Sequence, residues 1–169
     1  VNMHPEQTDI QLLDQAGILN FIFYPRRDTS PAPRGAKDIL VKMPDEVQIG
    51  VRFYRSNQTS PKLIYFHGNG EVAADYDFIA PQYAAIGVNL IVADYRGYGA
   101  SQGSPTVRNL IGDAVPTYSG IKEILGRESY SGPVFVMVRS LGSIPAIELV
   151  ASEPEAFAGL IIESGFGSL

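Results

Sequence analysis

Val134-Phe135-Val136-Met137-Val138-Arg139-Ser140-Leu141-Gly142-Ser143 is the stretch from which the fold is read. Its first half is a β-branched and aromatic run that suits a strand covered on both faces. After Ser140 the apolar residues fall at Ile144, Ile147 and Val150, which is helical spacing. Ser140 therefore stands at a strand-to-helix junction. A hydroxyl there can be held exposed above a sheet edge, beside N–H groups of a helix N-terminus that favour developing negative charge. The pattern of such an elbow is G-x-S-x-G; Gly142 supplies its second glycine and Val138 stands in place of the first. A β-branched residue at that point predicts strain or a displaced Ser140, impaired turnover, and a gain on Val138→Gly. An isolated S-x-G also reads as a helix N-cap, so the neighbouring segments must decide.

Working outward, strands and helices alternate. Lys62 to Phe66 and Val88 to Ala93 are short apolar runs bounded by turn residues, Gly159 to Glu163 is a last strand, and helices are expected near Ala73 to Ile86, Thr106 to Leu125 and from the elbow to Ser152. This alternation implies βαβ units and a parallel sheet flanked by helices. Ala36 to Met43 and Val47 to Tyr54 alternate as two strands around Pro44-Asp45-Glu46, an opening antiparallel hairpin. Residues 1–35 read as an extension: a weak helix from Asp9 to Phe23, then a proline-rich connection from Pro25 to Gly35 that wraps the domain rather than separating two. Residues 36–169 form the single domain.

Ligands of an open parallel sheet bind outside the carboxyl ends of its strands. Three strands end in His67-Gly68-Asn69-Gly70-Glu71, in Asp94-Tyr95-Arg96-Gly97-Tyr98-Gly99-Ala100-Ser101, and in Ser140-Leu141-Gly142. On these motifs, Ala36 to Gly165 resembles the N-terminal part of an α/β-hydrolase, of the esterase, monoacylglycerol-lipase and serine-aminopeptidase branch. The resemblance implies a serine hydrolase acting on a carboxylic ester or related acyl bond of a small-molecule substrate. It implies Ser140 as nucleophile and the backbone N–H groups of Leu141 and Asn69, with Gly70 the substitute for Asn69, as the oxyanion hole. His67, Gly68, Asp94, Arg96, Gly97 and Gly142 would support the motifs, His67 as a loop-shaping residue and Asp94 with Arg96 as a loop-fixing ion pair.

In this family the acid and then the histidine follow the serine. Here the histidines are His4 and His67, and the acids after Ser140 are Glu148, Glu153, Glu155 and Glu163. Glu163, at the end of the last strand, reads as a strand-end carboxylate. The resemblance thus implies a fold lacking its last strands, truncated before the triad acid and histidine, and a chain inactive alone. A non-catalytic pseudo-hydrolase used for binding, or assembly with a second chain, are the alternatives. An edge left at Gly159 to Glu163 invites self-association.

Composition excludes other classes. Thirteen Lys and Arg against eighteen Asp and Glu, with the basic residues scattered, leave no footprint for nucleic acid. No apolar run approaches the roughly 20 residues of a spanning helix, and the N-terminus lacks a signal-peptide pattern, so the cytoplasm is the default compartment. Without cysteine, paired histidines or a phosphate-binding glycine loop, no metal or cofactor is expected.

Overall fold

The computed structural model describes residues 7–165, with side chains from Ile10 onward. His4, weighed above as a base, lies outside the described residues. Six strands form one mixed sheet: β1 (Ala36–Lys42), β2 (Gln48–Tyr54), β3 (Lys62–Phe66), β4 (Asn89–Ala93), β5 (Val134–Arg139) and β6 (Gly159–Glu163), in the spatial order β1-β2-β4-β3-β5-β6. β1 and β2 are the expected hairpin, Ala36 opposite Tyr54 and Lys42 opposite Gln48. β2 joins β4 antiparallel, and β4, β3, β5 and β6 run parallel.

β3 and β4 are buried along their whole length because both faces are covered, which is why they read as unbroken apolar runs. Alternate residues feed two cores. Ile64, Phe66, Ile91, Val136 and Val138 pack beneath α4 (Val107–Gly112), α5 (Ala114–Arg127) and α6 (Ser143–Ser152). Leu63, Tyr65, Leu90 and Val92 face the other way, against Ala73 of a 3-10 turn (Ala73–Asp77) and Ala80 of α3 (Ala80–Ala85).

Three segments read as single helices are each divided. Proline accounts for two of the divisions, since it lacks an N–H and clashes with the carbonyl four residues back, yet fits the first helical turn. Pro81 opens α3, after the 3-10 turn in which Asp75 accepts the Val72 N–H at 3.0 Å. Pro116 sits in the first turn of α5, so the helix begun after Thr106 ends at Gly112; Thr106 caps it by accepting the Asn109 N–H at 3.0 Å. The N-terminal segment is α1 (Gln7–Leu13) and α2 (Ala16–Ile22).

Beyond α2 the chain behaves as a strap. Phe23 is buried in the main core. Arg26 and Arg27 then cross the β4 end: the Gly99 N–H donates to Arg26 O at 2.8 Å, the Asp28 N–H donates to Gly99 O at 3.2 Å, and the Arg27 guanidinium reaches Ser101 O. At the other edge β6 is paired with β5, and Ile161 and Ile162 are exposed.

Candidate active site

β5 ends at Arg139 in extended backbone (φ −129°), and Ser140 follows at φ +49°, opening a 3-10 turn (Ser140–Gly142) that runs directly into α6. A non-glycine residue in the left-handed region is uncommon and costs about 1 kcal/mol or more, so packing must hold it there. Gly142 shows how. A Cβ at that position would lie 2.1 Å from Phe66 O and 3.0 Å from His67 O, so only glycine lets the turn press against the end of β3. The Ser143 hydroxyl donates to Ser140 O, closing the turn. Among the described residues the Ser140 hydroxyl itself has no hydrogen-bond partner and is partly exposed.

Val138, expected to strain or displace Ser140, lies inside the sheet. Val138 pairs in register with Phe66 and is 1% exposed in the main core. It is an ordinary inward residue of β5, where a branched side chain fits strand geometry. The strain falls two residues later, on Ser140.

β3 lies beside β5, so its terminal loop faces the elbow. In that loop Gly70 adopts φ +77°, and among the described residues neither the Asn69 N–H nor the Gly70 N–H has a hydrogen-bond acceptor. The Asn69 side chain is engaged elsewhere: Oδ1 accepts the Tyr24 N–H at 2.9 Å and the Tyr98 hydroxyl at 2.7 Å, and Nδ2 donates to Ile22 O at 2.7 Å. The strap thus holds the loop from behind.

His67 is fully buried. Its Nδ1 lies 2.8 Å from Gly68 O, and since a carbonyl only accepts, Nδ1 carries the proton. Nε2 is 3.2 Å from Asp94 Oδ1 but turned off the hydrogen-bond line, so this is a close approach and not a directed bond. The ring packs on Tyr95 and Tyr98, 4.4 and 5.7 Å between centroids. It faces the β4 loop.

The expected Asp94–Arg96 pair is corrected. Asp94 accepts the Ala73 N–H at 2.9 Å and lies so close to Gly99 that a Cβ there would sit 2.1 Å from its carboxylate. Arg96 instead grips Asp113 through two bonds of 2.7 Å, and Asp45 at 2.6 and 3.2 Å. The two residues lie beyond the end of β4, where the chain has left the pleat, and their side chains go to different partners. Arg96 joins the strand end to the β1–β2 turn and the α4–α5 junction; Gly97 turns the same loop at φ +79°. A cavity with room for about one water molecule lies behind Arg96 and Asp113, and Ser140 does not line it.

Two charged residues beside Ser140 carried no functional role in the sequence reading. Glu71 accepts the Gly68 N–H and the Tyr76 hydroxyl, both at 2.8 Å, and pairs with Arg139 at 2.6 Å. Glu163, opposite Arg139 in register, is 3.9 Å from its guanidinium and accepts the Tyr65 hydroxyl at 3.4 Å. Glu71 closes the quoted loop motif and Arg139 directly precedes the serine, so their positions were the available signal.

Burial sets the ionisation of the tyrosines. It pushes the Tyr98 hydroxyl up to about 12, although the Tyr24 N–H opposes this, and it drives Tyr95 well above its usual range. Tyr95 donates to His67 O at 2.6 Å. Among the described residues no group of three or more His, Asp or Glu side chains could hold a metal ion, and no helix is long and apolar enough to cross a membrane.

The structure therefore brings together Ser140, Leu141 and Gly142 with the His67–Glu71 loop, and leaves Arg96 and Gly97 in the scaffold behind them. The family model for serine aminopeptidase, S33, matches residues 57–168. The lysophosphatidylserine lipase ABHD12 of Danio rerio is 32% identical over 126 residues, covering 69% of this chain and 31% of that protein. Protein bem46 of Schizosaccharomyces pombe is 29% identical over 116 residues, 68% of this chain and 38% of its own length. The chain thus spans between about a third and two fifths of these two relatives. Among solved structures, the esterase Pf2001 of Pyrococcus furiosus superposes with a TM-score of 0.63 at 19% identity, covering 83% of this chain and 57% of that one. With the family model matched over residues 57–168 and the strands ordered as described, the chain belongs to the serine aminopeptidase S33 family of the α/β-hydrolase superfamily.

Proposed function

We propose that Ser140 is the nucleophile of an acyl hydrolase. The observation that carries this reading is the left-handed φ of Ser140 at the junction of β5 and the following helical turn, held there by the approach of Gly142 to β3. Ser129 and Ser164 share the left-handed φ, but Ser140 is the one placed between a strand end and a helical turn, where backbone strain at a partly exposed serine suits a reacting group. In the reaction, Ser140 Oγ bonds to the substrate carbonyl carbon while the carbonyl electron pair moves onto oxygen. The N–H groups of Leu141 and of Asn69 or Gly70 stabilise that oxyanion, each donor contributing about 3 kcal/mol of barrier lowering. Collapse expels the leaving group, and water then cleaves the acyl-serine to a carboxylic acid. His67 is not placed to take the Oγ proton, since its ring is buried and turned to Asp94 and Gly68.

The lysophosphatidylserine lipases among the relatives make a monoacyl lipid ester the first substrate class to offer, beside simple p-nitrophenyl esters. The test is turnover and fluorophosphonate labelling by the full natural protein and its Ser140→Ala variant. Loss of both in the variant is expected. Turnover that survives Ser140→Ala would sink the reading, and a folded wild-type protein that neither labels nor turns over would favour a hydrolase fold used for binding.

A further inference from the structure

Glu71 bridges the two halves of the candidate oxyanion site. One carboxylate oxygen accepts the Gly68 N–H and the Tyr76 hydroxyl; the other accepts Nη1 of Arg139, the residue before Ser140. The fit is tight on the loop side, since a Cβ at Gly68 would stand 3.2 Å from that carboxylate. Charge-assisted bonds of this length are roughly twice as strong as neutral ones and strongly directional. Yet the guanidinium is 50% exposed and the carboxylate 24%, so solvent screens the pair and little net stability is expected from it. Tyr76 is half-buried against the sheet and holds Glu71 from a third side, and burial keeps that hydroxyl protonated far into the alkaline range. Glu163 reaches the same guanidinium only at 3.9 Å, so Glu71 is the partner that orients it.

We infer that Glu71 is a positioning residue which, through Arg139, sets the gap between the oxyanion loop and Ser140, so that N–H groups from both loops address one oxygen. The inference rests on the serine-hydrolase reading. Its physical basis is that a misplacement of about 1 Å in such a constellation costs on the order of 100-fold in rate.

The experiment uses the full natural protein. Glu71→Gln preserves shape and an acceptor for the Gly68 N–H but removes the charge that holds Arg139. It should lower kcat by roughly 10-fold or more with KM within about twofold, because the oxyanion exists only in the transition state. Arg139→Gln should match it, and the double variant should be no slower than either single one, since both act through one contact. Hydrogen exchange of residues 67–72 should quicken in both variants while the β1–β2 hairpin stays protected. An unchanged kcat in Glu71→Gln, multiplicative losses in the double variant, or exchange spreading across the sheet would overturn the proposal. Ser140→Ala separates the two claims: turnover surviving it removes the hydrolase reading, whereas the exchange pattern tests the Glu71–Arg139 link without catalysis.

Discussion

At the end of β4, polar groups leaving the sheet are taken up inside the fold: Tyr95 by His67 O, Asp94 by the Ala73 N–H, and Tyr98 by the Asn69 side chain that also ties down the strap. At the ends of β5 and β6, Arg139 and Glu163 stand about half in solvent, and the Ser140 hydroxyl has no partner among the described residues. The first region is rigid because burial makes each unmet polar group expensive, at about 1–3 kcal/mol. The second is charged, screened and strained, and is held in place from behind. A largely hydrogen-bonded scaffold thus stands behind a turn whose serine hydroxyl is unpaired among the described residues.

The contrast is broken most completely at the contact that joins the regions. Gly142→Ala places a Cβ 2.1 Å from Phe66 O, against backbone that cannot swing away, so a loss of about 3 kcal/mol and of all serine labelling is expected. Chemical denaturation and fluorophosphonate labelling read the two effects. Next, Val138→Gly empties a core site beneath α6 and loosens β5; a loss of about 2–3 kcal/mol is expected in the same denaturation experiment, and a gain in turnover is not.

Alkaline pH should dissolve the scaffold before the charged edge. The folded chain keeps the Tyr98 proton up to about pH 12, and burial holds the Tyr95 proton well above the usual range, whereas an unfolded tyrosine loses its proton near 10.0. Stability is therefore full below pH 10 and falls as pH rises toward 12, because the folded state binds more protons there. Tyr98→Phe should start less stable, having lost the Asn69 bond, but lose less stability across that window; urea titrations from pH 9 to 12 would show whether the slopes differ. The smallest effect sharpens the contrast: Ser140→Gly relieves the left-handed strain at φ +49° and should raise stability by up to about 1 kcal/mol while removing labelling. A lower melting temperature in that variant would mean that the serine is not strained by its turn.

Much of the architecture was legible along the chain. β3 and β6 lie where short apolar runs are bounded by turn residues, and the hairpin follows its alternation. The helix breaks at Pro81 and Pro116 are masked along the chain, because apolar spacing runs on through both prolines. At the site, Ser140 and Gly142 were legible from a strand run changing into helical spacing. Arg96 has Asp94 as its nearest carboxylate in sequence, whereas its partners Asp45 and Asp113 lie 51 and 17 residues away. Asn69 was read for its N–H alone, and its side chain meets Ile22, 47 residues earlier.

The sequence by itself determined the alternation of strands and helices, the junction at Ser140 and the convergence of three glycine-bearing loops, since periodicity and turn chemistry are local properties of the chain. Only the tertiary structure decided that His67 turns inward, that the strap from Ile22 to Asp28 braces the loops, and that Glu71 reaches Arg139. Those pairings join residues brought together by strand order and register. A charge carries no mark along the chain of which opposite charge will come within 4 Å of it.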